Sequence, residues 1–211
     1  MRPLGVVDIV YAPEPVEERA RQAAADGFAH IDVLVDVLLE GEAASLALPV
    51  GCPTAFPKPR PGWCSTPAPA DAPGRWDKTV AMFGAAPGAL LEPWAGAVVN
   101  SREKCEAMMA AVPGLRLLVD TGHVADWGGD PLELLPYADH VQLRQGRPGA
   151  TQVHVDDPAG AVDFAAVLRG LDELDYRGVL SVEYFDLPEQ GWALEDPRTW
   201  ALDLAHHLRG L

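Results

Sequence analysis

Cysteine, basic side chains and long apolar runs are all scarce, and each shortage removes a class of protein. Cys52, Cys64 and Cys105 are the three cysteines of the chain. Their odd number and lack of metal-type spacing exclude a disulfide framework and a structural zinc site, so they are read as reduced thiols. Lys and Arg together number 16 against 31 acidic residues, for a formal net charge of −15. Such a field repels nucleic acid and anionic membrane surfaces. No basic patch offsets it, since Arg144 and Arg147 are the only closely spaced basic pair near the site argued below. No apolar run approaches membrane-spanning length. The N-terminal Met1 to Gly5 leads directly into a strand pattern without a signal-type apolar region, so a cytoplasmic protein without membrane partners is expected. Internal repeats are absent too, which disfavours a solenoid.

What the chain does contain, over 211 residues, is an alternation of short apolar strands and amphipathic helices. That pattern indicates one α/β domain spanning residues 1–211, near the lower size limit of an eight-stranded parallel barrel. The clearest stretch is Gly114 to His123. Leu115, Leu117, Leu118 and Val119 leave almost no polar face, as in a parallel strand covered on both sides, and the run ends in Asp120 with His123 one turn later. Three other segments end similarly: Ala89–Pro93 carries Glu92, His140–Arg144 centres on Gln142, and Gly178–Tyr184 ends near Glu183. Because strand side chains alternate between faces, these groups can share one side of a sheet. In parallel α/β folds, ligands sit beyond the C-terminal strand ends. Three carboxylates and an amide converging there are costly to bury unless they hold a cation. The hard, all-oxygen set Glu92, Asp120, Gln142 and Glu183 suits Mg²⁺ or Mn²⁺, tolerates Co²⁺, and disfavours zinc.

The first half is less regular. Leu4–Tyr11 reads as a strand, Pro13–Gly27 as a helix and Phe28–Val35 as a second strand, with His30 and Asp32 as candidate substrate contacts near a barrel mouth. Asp36–Ser45 reads as a short helix and Leu46–Cys52 as a third strand. Prolines then recur from Pro53 to Gly74, a pattern expected to sustain neither helix nor sheet. This segment is either a lid carrying Trp63 over the site or the remnant of a lost helix. Arg75–Gly84 fits a short helix or a fourth strand, and only Ala85–Gly88 separates it from the Glu92 strand. A barrel trimmed or partly degenerate between its third and fifth strands is therefore expected, with its shortened side buried in a homodimer. Farther on, Asn100, Asp130, Asp163 and Asp196 read as helix caps, and Cys105, Met108, Met109 and Val112 as an apolar helical stripe.

The motifs Leu90-Leu-Glu-Pro93, Val119-Asp-Thr-Gly-His123, His140-Val-Gln-Leu-Arg144 with Gly146-Arg-Pro-Gly149, Gly160-Ala-Val-Asp-Phe164 and Tyr176–Tyr184 resemble the xylose isomerase-like TIM-barrel superfamily. This is the sugar phosphate isomerase and epimerase group, which also includes endonuclease IV. The resemblance implies a metal held by Glu92, Asp120, Gln142 and Glu183, and a substrate contact from His123. Gln142, where a metal His is more common, is similar to the hydroxypyruvate isomerase branch, and Arg147 matches that branch's arginine-containing loop. The endonuclease branch, with its His-rich zinc cluster, fits poorly.

The expected activity is isomerisation or epimerisation of a small sugar or α-hydroxycarbonyl compound through an enediolate. Glu92 and Glu183 would move protons, His123 would hold a substrate oxygen, and Arg147, Arg144, His30 and Trp127 would contact substrate. A dehydratase of the dehydroshikimate type shares the deprotonation step. A non-catalytic barrel retained as a binding protein is the alternative from another class.

Overall fold

The structure, a computed structural model, describes residues 2–34, 46–55, 58–71 and 73–211. The helix expected at Asp36–Ser45 lies outside the described residues. Eight parallel strands close a barrel in sequence order: β1 (Leu4–Val7), β2 (Ile31–Leu34), β3 (Val50–Thr54), β4 (Cys64–Ser65), β5 (Leu90–Leu91), β6 (Arg116–Asp120), β7 (Ala138–Leu143) and β8 (Leu180–Val182). Closure is carried by β8 against β1, with Gly5 opposite Ser181. Among the described residues six α-helices accompany them: α1 (Val16–Ala25), α2 (Arg75–Gly84), α3 (Arg102–Ala111), α4 (Thr121–Asp126), α5 (Phe164–Glu173) and α6 (Pro197–Arg209). None of the described helices is long and apolar enough to cross a membrane.

The barrel is therefore complete in strands. Contrary to the expectation for Pro53–Gly74, Cys64 and Ser65 pair with β3 on one side and β5 on the other. They fall in the proline-free window between Pro61 and Pro67, where backbone N–H groups remain available to a ladder. Arg75–Gly84 is the helix that crosses from β4 to β5, so that crossover is present. Between β3 and β4, as in the described part of the β2–β3 connection, the described residues contain no helix. Trp63 immediately precedes β4, at the N-terminal end of that strand rather than over the C-terminal strand ends, and Arg60 lies over its ring at 5.2 Å. Strand closure also removes the open sheet edge that motivated association on this side. The large exposed apolar side chains among the described residues, Leu132, Leu174 and Leu211, lie elsewhere.

Local chemistry accounts for most boundaries. Leu4–Tyr11 is strand only to Val7 and then a 3-10 turn, Asp8–Tyr11. Ser101, not Asn100, caps α3 by accepting from Lys104 N, while Asn100 donates to Ala95 O. Asp163 and Asp196 cap α5 and α6 as expected. Asp130 caps a 3-10 turn, Pro131–Glu133, rather than an α-helix. The apolar faces of α1, α3, α5 and α6, through residues such as Ala20, Met108, Leu171 and Leu204, bury the outer faces of the strands.

The barrel interior is divided. Cys52, Cys64 and Leu118 form a small apolar cluster on one side, while His30, Asp32, His140, Gln142 and Ser181 are buried on the other. The register between β2 and β3 shifts, with Ile31 opposite Val50 but Val33 opposite Pro53. The extra residue forms a bulge, where proline is tolerated. The buried Cys52 N–H donates to Asp32 Oδ1 at 2.8 Å.

His30 occupies the level of Gly5 and Gly51, and an added Cβ at these glycines would lie 2.2 and 2.4 Å from its ring. Gly5→Ala should therefore destabilise the barrel by about 1–3 kcal/mol through overpacking, and adding His30→Ala should recover part of the loss. Thermal melts of the single and double variants test this, and additive losses would contradict it.

Candidate metal centre

The site is built from the C-terminal ends of β5 to β8. Asp120 ends β6 and caps the short helix α4, its Oδ1 accepting from Gly122 N at 2.7 Å and from His123 N at 3.2 Å. This single carboxylate both starts the helix and turns His123 inward. Gly122 is required at that turn because an added Cβ would lie 2.3 Å from Thr151 O and 2.8 Å from Arg144 Nε. Glu92 directly follows β5 and Glu183 directly follows β8, and both are buried. His123 Nε2 lies 3.6 Å from Glu92 Oε1 and 3.9 Å from Asp120 Oδ2. One ligand atom from each of Glu92, Asp120 and His123 falls within 4.8 Å of the others.

Beneath them lies Arg144, fully buried. One guanidinium nitrogen bonds Asp120 Oδ2 and lies 3.1 Å from Glu183 Oε2. The second contact is an ion pair without hydrogen-bond alignment, so Glu183 Oε2 keeps no hydrogen-bond partner. The guanidinium carbon also sits 4.4 Å from the centre of the Phe185 ring.

Burial and mutual repulsion set the protonation states. Burial, reinforced by the Asp120 charge, pushes Glu92 up to about 7 even though Arg144 pulls the other way. Burial drives Glu183 well above the usual carboxylate range. Asp120 is held below that range because the Arg144 charge and the hydrogen bond from the His123 backbone N–H outweigh its burial. Burial pulls His123 down to about 3, so its ring is neutral.

Gln142 is oriented from below. Asp32 stays ionised in full burial because His140, Ser181 and His30 offset the desolvation. It can then only accept, so His140 Nε2 donates to Asp32 Oδ2 across 2.6 Å. Gln142 Nε2 donates to the same oxygen at 3.5 Å. That contact directs the amide carbonyl away, and Gln142 Oε1 is buried with no hydrogen-bond partner. Gln142 Oε1, Glu183 Oε2 and His123 Nδ1 are thus buried polar atoms lacking protein partners, as expected of groups arranged for a bound ligand. The donor set, carboxylates with one amide oxygen and an imidazole, fits a hard divalent cation.

A cavity of about 430 Å³ opens above this floor. Glu92, Glu183, Gln142 and His123 line its polar side, and Trp94, Phe185, Leu187 and Trp192 its apolar side. The aromatic groups touch one another, with Trp94 and Trp192 ring centres 6.0 Å apart and His123 5.8 Å from Trp192.

Residues 78–210 match the family model described as xylose isomerase-like TIM barrel. The chain belongs to that family. Among curated proteins it is 33% identical over 143 residues to the inosose dehydratase of Geobacillus kaustophilus strain HTA426, which covers 54% of this chain and 45% of that protein. The chain thus spans about half the length of this relative. Among solved structures, the 3-keto-D-glucoside 4-epimerase of E. coli superposes with a TM-score of 0.72 at 14% identity, each chain covered fully. An L-ribulose 3-epimerase superposes with a TM-score of 0.67 at 16% identity, covering 100% of this chain and 93% of that one. At such identities these structures show a shared fold.

Within this xylose isomerase-like barrel, Glu92, Gln142, Glu183 and His123 line one cavity, with Asp120 in contact below them. The other expected substrate contacts lie elsewhere. His30 is deep in the barrel, 3.0 Å from Ser181 Oγ. Arg144 is committed to the carboxylates, and Arg147 is exposed on a loop where it bridges Ala150. Trp127 lines a separate cavity with Arg102 and Asp130. Sequence reasoning missed Phe185 and Trp192, which reach the site only through the loop after β8. The Asp32–His140 contact was equally out of reach, because nothing in either strand names its partner across the barrel.

The elevated Glu92 and Glu183 make the metal-free protein lose stability as pH rises from the carboxylates' unfolded range toward their folded values. The buried, neutral His123 acts with opposite sign, but only below its unfolded value near 6.5. Between about pH 6.5 and 8.5 the melting temperature of chelated protein should therefore fall by about 3 °C or more. Mn²⁺ should restore more at the upper end, and Glu183→Gln should flatten the decline. Melting curves that are flat for the parent and insensitive to Mn²⁺ would contradict this assignment.

Proposed function

We propose that this protein is a divalent-metal-dependent isomerase or epimerase of a small sugar or related α-hydroxycarbonyl compound, acting by proton transfer through an enediolate. The observation carrying this reading is the convergence of Glu92, Glu183 and the partnerless Gln142 Oε1 on one cavity at the C-terminal mouth of the barrel, with Asp120 directly below them. Glu92, Asp120, Gln142 and Glu183 would hold the cation, Mg²⁺ or Mn²⁺, with Co²⁺ tolerated. When bound, it would polarise the substrate carbonyl and stabilise the charge developing as the neighbouring carbon loses its proton.

The chain's own groups supply the rest. Glu92 and Glu183 come from β5 and β8, with β6 and β7 between them, so they approach a bound substrate from different sides. One can take a proton and the other return it, which epimerisation requires. Burial raises the proton affinity of Glu92 in the metal-free chain, and a carboxyl placed against the reacting carbon can serve as acid or base. His123, neutral and with Nδ1 unpartnered, can hold a substrate oxygen without changing the charge of the site. The apolar wall excludes water from the intermediate.

A second reading, elimination of water from the same enediolate, is favoured by the 33% identity over 143 residues to an inosose dehydratase. There the protonated glutamic acid would assist departure of a hydroxyl. Metal-loaded protein should exchange the hydrogen next to the carbonyl of a small ketose or keto-polyol with deuterium oxide, followed by proton NMR. Glu92→Gln and Glu183→Gln should each lower the exchange rate by about 10²-fold or more, the usual range for a general acid or base. An unchanged substrate skeleton supports the isomerase or epimerase, whereas a conjugated, ultraviolet-absorbing product supports the dehydratase. No exchange across a panel of such compounds would remove both.

A further inference from the structure

Lysine and arginine number 16 in this acidic chain, and most of their side chains meet a partner, as Arg19 meets Asp8 and Arg116 meets Asp139. Five meet none among the described residues: Lys58, Arg75, Lys78, Arg147 and Arg169. Three of these, Lys58, Arg75 and Lys78, line one cavity of about 290 Å³ together with Thr66, Ala68 and Met82. No acidic side chain is part of its lining. Spacing in the sequence conceals the cluster, because Lys58 precedes β4 while Arg75 and Lys78 lie on α2.

Such a grouping is unfavourable by itself. Residues three apart on a helix are neighbours, so Arg75 and Lys78 repel one another on one face of α2, and Lys58 brings a third like charge to the same cavity. Asp77 lies between them in sequence, but residues one and two apart on a helix do not face each other. Acids outnumber basic residues 31 to 16, so pairing with a carboxylate is the ordinary outcome for a cation in this chain. Three cations left unpaired around one hollow supply a local positive field of the kind that holds an anion.

The floor of the hollow is fixed. Ala68 N donates to the buried Thr79 Oγ1 at 3.1 Å, and Thr79 Oγ1 donates in turn to Arg75 O at 2.8 Å. Ala68 O accepts from Val98 N at 3.0 Å. Pro67 and Pro69 flank Ala68 and restrict the backbone further. The loop after β4 and the first turn of α2 therefore keep a set separation, and the cost of binding is confined to ordering three long side chains.

We propose that Lys58, Arg75 and Lys78 form a second ligand site, selective for a phosphate group, beside the cavity at the barrel mouth but outside it. A phosphate ester carries about 1.5–2 negative charges at neutral pH and three strong acceptor oxygens. The Arg75 fork can engage two oxygens side by side, and the two ammonium groups can serve the third. Glu92, Asp120, Gln142 and Glu183 are not part of this lining, and Thr66 is the residue common to both cavities. Occupancy is therefore independent of the metal centre. A bound phosphate ties the β3–β4 connection, through Lys58, to α2, on the side of the barrel where the described part of that connection holds no helix.

Phosphorus NMR titration of the full chain, chelated and Mg²⁺-loaded, tests the site at constant ionic strength with inorganic phosphate and glycerol phosphate as probes. The two forms of the protein should bind phosphate alike within about twofold. Lys58→Gln combined with Lys78→Gln should weaken binding about tenfold, the joint worth of two exposed charge contacts, whereas Lys58→Arg should stay within about twofold of the parent. Both lysines are exposed, so these variants should fold as the parent does. Arg169→Gln, which removes an unpaired cation from a different cavity, should change binding by less than about twofold. Phosphate should also raise the melting temperature of the parent by about 2–4 °C more than that of the double variant, a difference that cancels general salt stabilisation. Glycerol phosphate binding at least about tenfold more tightly assigns the site to a phosphate ester, and comparable affinities assign it to free phosphate; either supports the proposal. Phosphate that binds only with Mg²⁺ present, that binds the double variant as tightly as the parent, or whose thermal effect chloride reproduces would overturn it.

Discussion

Arg144 is buried to the last atom with its guanidinium between Asp120 and Glu183, and the acidic mouth of the barrel depends on that contact. Three carboxylates enclosed together cannot all ionise, since each raises the cost of charging the next. The guanidinium keeps Asp120 charged while burial leaves Glu92 and Glu183 inclined to hold their protons. Removing one partner of such a buried pair costs about 3–5 kcal/mol because the other charge is stranded. Arg144 thus serves folding as well as the site: it makes a cluster suited to a divalent cation tolerable before any cation binds.

The same economy governs the interior below. Most parallel barrels fill this space with layers of branched apolar side chains. Here one side carries Cys52, Cys64 and Leu118, and the other a connected polar column in which His30 meets Ser181 and His140 meets Asp32. Each member is hydrogen-bonded, which keeps a buried network from being a liability. The column ends at Gln142, whose amide nitrogen faces Asp32 and whose oxygen faces the cavity. Packing against Gly5 and Gly51 holds the lower end in place. The stability of the barrel floor and the orientation of a site amide are therefore one structural problem with one solution.

Much of this was legible in the sequence where a strand was long and its end was charged. The buried run Leu117–Val119 announces β6, and Asp120, Gln142 and Glu183 could be placed by alternation alone. Aspartates before helical stripes, as at Asp163 and Asp196, fixed two helix starts by their capping chemistry. The first half resisted for physical reasons: β4 and β5 contribute two residues each, too few to show a period. Their stability comes from neighbours on both sides, so proline density around Cys64 outweighed any local strand signal. Side-chain destinations across the barrel were equally hidden. Arg144 follows β7 on the face shared with Gln142, yet sequence could not tell a guanidinium facing substrate from one locked under two carboxylates. Of the aromatic wall, Trp192 escaped because it lies in an irregular loop whose path depends on Leu187 pairing with it.

The account turns on whether these oxygens hold a divalent cation. Anomalous diffraction from crystals soaked in Mn²⁺ addresses it most directly. A single strong peak is expected in the cavity, bounded by Glu92, Asp120, Gln142 and Glu183, and it should disappear in Glu183→Gln crystals. A cavity without a peak, in crystals where Arg144 still bridges Asp120 and Glu183, would contradict it.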